Sequence, residues 1–121
     1  RVIFTGFQTR PETYLRAMDV FLLTSDTEGT SMTLLESMSL AKPAVATAVG
    51  GNREIVVAGE TGFLIEASDT DALADTIRIL KNEPAKRKSM GEQAYQRFVS
   101  RFSAQHMAER YVKIYESKGT G

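Results

Sequence analysis

The sequence predicts an α/β domain built on a parallel sheet with flanking helices, and three observations carry that expectation. Short apolar runs rich in β-branched and aromatic residues alternate along the chain with segments whose apolar residues keep helical spacing. Runs such as 20-VFLL-23 are apolar throughout, as in strands covered on both faces. Glycine or proline stands at most of the transitions between them. Strand-helix alternation of this kind favours parallel pairing through right-handed crossovers.

The elements follow in order. Val2-Ile3-Phe4-Thr5 reads as a strand closed by Gly6. Pro11 suits the first turn of a helix that carries Tyr14, Leu15 and Met18 toward the core. Val20 to Leu23 is a strand, and a polar loop runs from Thr24 to Gly29. Met32, Leu34, Leu35, Met38 and Ala41 are expected on one side of the next helix, which Pro43 ends. Ala44 to Thr47 is a strand, Gly50-Gly51 a turn, and Asn52 the expected N-cap of a short helix through Val57. Gly59 and Gly62 bracket a turn before the strand Phe63-Leu64-Ile65. Asp69 or Thr70 caps a helix carrying Leu73, Ile77 and Leu80. Pro84 opens another helix through about Val99, with Tyr95, Phe98 and Phe102 expected in its packing. Ser103 caps a last helix, with Met107, Tyr111, Ile114 and Tyr115 on one face.

Composition narrows the function classes. The 121 residues suffice for one domain at most. Hydrophobic residues make up 42% and charged residues 25%, the balance of a soluble globular protein. With 15 basic and 15 acidic residues the formal net charge is zero, so nothing favours a nucleic-acid partner. Cysteine is absent, which excludes disulfides and thiolate metal sites in this sequence and fits a reducing, cytoplasmic setting. The apolar runs are too short to cross a bilayer. The start, RVIFTGFQTR, lacks the features of a signal peptide and opens on strand-like residues without an initiator Met. We therefore expect a piece of a longer chain.

In open parallel sheets, ligands bind outside the C-terminal strand ends. Three loops leave such ends here: Gly6-Phe7-Gln8, Ser25 to Ser31, and Val49 to Asn52. The longest and most polar lies within 25-SDTEGTSMTLLES-37, where Glu28 and Glu36 stand eight positions apart. One reading is local: Thr33-x-x-Glu36 and Ser25-x-x-Glu28 both match a capping box. The other is a ligand site. A helix beginning near Thr30 or Ser31 turns its free N–H groups and positive dipole end toward the ligand edge, which favours an anion. Gly29, Thr30 and Ser31 are small enough for close approach to the backbone. Glu28 and Glu36 then lie on the order of 10 Å apart. That suits a ligand with hydroxyls at both ends and phosphate between, as in a nucleoside diphosphate sugar.

From Asp19 onward the chain reads DVFLLTSDTEGTSMTLLESMSLAKPAVATAVGGNREIV, then GETGFLI. A strand ending in Ser, E-x7-E, a helix closed before Lys-Pro, a Val-Ala-Thr strand and G-G-x-x-E follow in order. This resembles the C-terminal, Rossmann-like domain of retaining GT-B glycosyltransferases of family 4, the group 1 glycosyl transferases. The resemblance covers roughly Val2 to Tyr115 and is most specific from Ser25 to Val57.

The resemblance implies transfer of a sugar from a nucleoside diphosphate sugar to an acceptor, with retention at the anomeric carbon. It implies that Glu28 sits at the sugar hydroxyls in a catalytic position, and that Glu36 takes the ribose hydroxyls. The amides of Thr30, Ser31, Met32 and Thr33 hold sugar and diphosphate, with Gly29 beside them. Gly6 and Phe7 lie near the base, and Gly50-Gly51 closes the pocket edge. Glu54 is a structural partner. Carboxylates flanking a glycosidic bond would also suit covalent catalysis or hydrolysis; the resemblance favours positioning by Glu28 and same-face transfer assisted by the leaving phosphate. It implies no divalent metal and no cofactor. Ser31 departs from the glycine common at its position, and its side chain narrows the site. The basic residues that clamp the diphosphate, the domain that binds a carbohydrate or lipid-linked acceptor, and the first strands of this domain are expected outside residues 1–121. The chain alone is then expected to be inactive and to cover its open sheet edge by dimerising.

His106, the only histidine, is expected to be a packing residue. Lys81, Lys86, Arg87 and Lys88 read as a solvated face, with peripheral contact to an anionic membrane as the alternative. Two competing functions are a non-catalytic nucleotide-sugar or phosphate-binding module, and a structural domain in which the glutamates only cap helices.

Overall fold

A computed structural model of the chain describes residues 11–24 and 32–103. Its elements are α1 (Pro11–Ala17), β1 (Phe21–Leu23), α2 (Met32–Ser39), β2 (Ala44–Thr47), α3 (Asn52–Ile55), β3 (Gly62–Ile65), α4 (Thr70–Asn82) and α5 (Pro84–Arg97). A turn of π-helix, Phe98–Phe102, continues α5. The three strands form one parallel sheet in the order β1-β2-β3. Phe21, Leu22 and Leu23 pair with Ala44, Val45 and Ala46, and Ala44 to Thr47 pair with Gly62 to Ile65. The α/β expectation holds. The strand expected at Val2–Thr5 and the helix expected after Ser103 lie outside the described residues.

Every residue of β2 is buried, because helices cover both of its faces. On one face Ala44 and Ala46 meet Leu34, Leu35 and Met38 of α2, Leu15 of α1, Ile55 and Val56 at α3, and Ala94 of α5. On the other Val45 packs with Ile65, Leu80 of α4 and Met90 of α5. This period-two division along β2 is what a central strand requires.

Local chemistry bounds the helices. The Asp69 carboxylate accepts from the Ala72 N–H at 3.0 Å, so Asp69 is the N-cap of α4. At the end of α2, Lys42 N–H donates to Ser37 O and Ala41 N–H to Met38 O, both at 3.0 Å. That pair of bonds is a Schellman cap. Ala41 occupies its left-handed position at φ 58°, where a Cβ costs about 1–2 kcal/mol. The expectation that Ala41 continues the apolar face of α2 is therefore corrected: it leaves the helix.

Other corrections concern which apolar residues go inside. Met32 is 58% exposed. It stands two residues before Leu34, which on a helix is the opposite side from the buried face. Tyr14, Ile77 and Tyr95 are exposed too, while Leu15, Leu80 and Ala94 on the same helices are buried. Phe98 and Phe102 do pack against the core, from the π-helical turn rather than from α5 itself.

Candidate functional site

Because β1 and β2 are parallel and Leu23 pairs with Ala46, their C-terminal ends lie side by side. β1 ends at Leu23, and the turn 48–51 leaves β2, at that same edge. The edge is further tied by the Thr47 hydroxyl, which donates to Leu23 O at 3.5 Å. Of the sequence-predicted site residues, Glu28, Gly29, Thr30, Ser31, Gly6 and Phe7 lie outside the described residues. Met32, Thr33, Glu36, Gly50 and Gly51 lie within them.

Met32, Thr33 and Glu36 are all exposed, on the side of α2 away from Leu34, Leu35 and Met38. Glu36 stands four residues after Met32 and three after Thr33, so it neighbours both on the helix surface. Thr33 is inside α2 rather than before it, so Thr33-x-x-Glu36 is not a capping box. Glu36 is left with its carboxylate in solvent, one turn from the helix start.

The β2–α3 turn is defined by hydrogen bonds. Val49 N–H donates to Thr47 O at 2.9 Å, and Asn52 N–H to Val49 O at 3.1 Å. Gly50 sits at φ 50°, in the left-handed region that favours glycine. Gly51 precedes α3 with φ −71° and ψ −7°, and no side chain caps the helix. The expected N-cap role of Asn52 is thus corrected. Asn52 is the first residue of α3, fully buried, and its Nδ2 reaches back to Thr47 O at 2.9 Å instead of forward along the helix.

Sequence reasoning also missed Arg97. From the end of α5 its Nε donates to Ile55 O at 2.9 Å and its Nη2 to Glu54 O at 2.6 Å, closing the C-terminal end of α3. The guanidinium centre lies 5.5 Å from the Phe102 ring centroid. Burial lowers the Arg97 pKa from its ordinary value, Arg101 lowers it further, and Glu60 opposes the shift. Glu54 contributes to structure through its main-chain carbonyl, with its side chain exposed. Nothing in local sequence signals a contact across 43 residues.

A groove of about 600 Å³ lies elsewhere, lined by Ala41, Thr61, Glu92, Tyr95, Arg97 and Arg101 among others. Ala41 and Thr61 precede β2 and β3, so this groove opens at the N-terminal strand ends, opposite the edge described above. Strand topology, rather than cavity volume, identifies the ligand edge. Among the described residues no group of three His, Asp or Glu side chains could hold a metal ion. No described helix is long and apolar enough to cross a membrane. In the basic cluster, Arg87 Nη1 donates to Leu80 O at 2.9 Å and Lys86 Nζ lies 5.8 Å from the Phe63 ring centroid. Arg87 thus ties α5 to the end of α4, and Lys86 meets β3.

A glycine turn at the C-terminal edge of a parallel sheet, with helices on both faces, is the arrangement of Rossmann-like ligand-binding domains. Residues 1–97 match the family described as glycosyl transferases group 1, and the chain belongs to that family. It is 37% identical over 116 residues to N-acetyl-alpha-D-glucosaminyl L-malate synthase of Bacillus anthracis, covering 95% of this chain and 30% of that protein. The structure resembles HepE of Anabaena in complex with UDP, at TM-score 0.91 and 27% identity, over 97% of this chain and 32% of that one. It has the fold of the C-terminal domain of a group 1 glycosyl transferase, LpcC of Francisella tularensis. There the TM-score is 0.76 at 24% identity, over 85% of this chain and 53% of that one. The chain spans about 30% of the length of the curated relatives it matches.

Proposed function

We propose that this chain is the donor-binding part of the C-terminal domain of a retaining, family 4 glycosyltransferase. The full-length protein moves a sugar from a nucleoside diphosphate sugar to a carbohydrate or lipid-linked acceptor. One observation carries the proposal. In a chain of this family, the Gly50–Gly51 turn leaves β2 at the sheet edge where β1 also ends, and Met32, Thr33 and Glu36 of the E-x7-E segment are exposed on α2. HepE, similar over 97% of this chain, binds UDP and UDP-glucose.

In this reading Glu36 accepts hydrogen bonds from the ribose hydroxyls and Glu28 from the sugar hydroxyls. The main-chain N–H groups of Thr30 to Thr33 meet the sugar and diphosphate, with Gly29 beside them, and Gly6-Phe7 flanks the base. A carboxylate suits vicinal hydroxyls and repels phosphate, so glutamates at the ends and amides between them match the ligand's charge along its length. As the glycosidic bond breaks, negative charge grows on the departing diphosphate, and preoriented amides stabilise it without reorganising. Positive charge grows at the anomeric carbon, where Glu28 positions the ring. The reading needs no divalent metal and places the enzyme in the cytoplasm. Peripheral membrane contact and dimerisation of the isolated chain remain parts of the proposal, tested by vesicle co-sedimentation and by sedimentation equilibrium.

Thermal unfolding of the full-length protein tests the donor. A true nucleotide sugar at about 100 times its Kd stabilises the fold by about 2.7 kcal/mol and raises Tm. Absence of a shift with every uridine, guanosine and adenosine diphosphate sugar counts against the proposal. Residues 1–121 alone are expected to show no transfer, because acceptor site and phosphate-clamping cations lie elsewhere. Turnover by this segment alone overturns that expectation.

A further inference from the structure

Among the described residues, Asn52 Oδ1 is a buried side-chain oxygen without a hydrogen-bond partner. The residue is 0% exposed, opens α3 and directly follows Gly50–Gly51. Its amide nitrogen is engaged: Nδ2 donates to Thr47 O at 2.9 Å, the carbonyl that also accepts from Val49 N–H. Stability alone does not account for an asparagine here. An unmet buried acceptor costs at least as much as one neutral hydrogen bond returns, and an apolar side chain of similar volume avoids both. What the amide does provide is a tie across the most permissive part of the chain. Two consecutive glycines sample many backbone conformations, and ordering them on ligand binding weakens affinity. The Asn52–Thr47 bond orders them beforehand.

We infer that Asn52 is a positioning residue for the nucleotide-sugar site: its Nδ2 holds the turn from Thr47 to Asn52 against the end of β2 and so sets where the Gly50–Gly51 backbone meets the ligand. This rests on the donor-binding reading above. The open Oδ1 marks a residue kept for the geometry of the turn at the expense of stability. The four-residue α3 is not itself the binding element; the positioned groups are Gly50 and Gly51.

The test uses Asn52→Leu and Asn52→Asp in the full-length protein. The probe is whichever of UDP, GDP and ADP the unsubstituted protein binds most tightly by calorimetry. Asn52→Leu should melt within a few degrees of the parent or above it, yet bind the probe about three- to tenfold more weakly. The donor KM should rise by a similar factor, with kcat changed less than twofold. Asn52→Asp keeps Oδ1 but has no proton to donate to Thr47 O at neutral pH, and should bind weakly too. Parental affinity in both variants overturns the inference alone. If Asn52→Leu does not fold, Asn52→Ala is measured, and a lowered Tm with unchanged probe affinity also overturns it. No binding of any of the three nucleotides by the unsubstituted protein overturns the donor reading and this inference together.

Discussion

Glu28→Gln in the full-length protein is expected to lower kcat for sugar transfer by about 10²–10³-fold while leaving nucleoside diphosphate affinity within a few-fold of the parent. Glutamine keeps the size of the side chain and one acceptor oxygen but loses the charge. In the proposed site the nucleotide is held by main-chain amides from Thr30 to Thr33 and by Glu36. None of these changes, so ground-state binding persists. What is lost is a carboxylate beside the sugar, where positive charge develops at the anomeric carbon only as the bond breaks. A loss confined to kcat is the signature of an interaction made in the transition state. Transfer rates from a product-release assay and UDP affinity from calorimetry separate the two. Unchanged transfer sinks the role of Glu28. Loss of nucleotide binding together with transfer points instead to a site built differently. A parent protein that binds nucleotide but transfers no sugar is the non-catalytic module.

Gly91→Ala is expected to destabilise the protein by up to about 2 kcal/mol, against the usual direction for a helix interior. In an exposed helix this change stabilises by about 1 kcal/mol, because alanine restricts the unfolded chain and favours the helix. Here a Cβ would stand 2.1 Å from Ala41 O, and that carbonyl cannot retreat easily. It belongs to the capped turn that ends α2, held by bonds from Ala41 and Lys42 to Met38 and Ser37. The overlap forces α5 away from that turn, and overpacking of this kind costs about 1–3 kcal/mol. The clash thus exceeds the gain in propensity. Thermal unfolding reads the difference as a Tm lowered by several degrees. A raised Tm would mean that α5 and the end of α2 shift apart at little cost.

Both positions bear on how much of this protein is legible in sequence. Asp69 as a cap, the apolar stretch of β2 and the breaks at Pro43 and Pro84 could be read directly, because each acts within about one turn of itself. Met32 could not be sorted by its apolar identity. It took the register of α2 against the sheet to show that the buried side runs through Leu34, Leu35 and Met38, leaving Met32 beside Thr33 and Glu36. Asn52 was legible as a residue suited to helix starts and illegible as a buried tie, since its partner is a strand carbonyl five residues back. Arg97 gave no local signal at all.

By itself the sequence determined the alternation of strand and helix, the parallel pairing it implies, the family, and the edge at which a ligand is expected. These follow from hydrophobic period, capping chemistry and glycine placement, which act over a few residues and survive any detail of packing. Only the tertiary structure decided that Asn52 faces inward with one oxygen unmet, that Arg97 closes α3 from 42 residues away, and that Gly91 touches the turn at Ala41. Those contacts join elements that meet only when both faces of β2 are covered. Their geometry is set by how closely helices can approach a strand of alanines and valine, a property of the packed layers that no single segment carries.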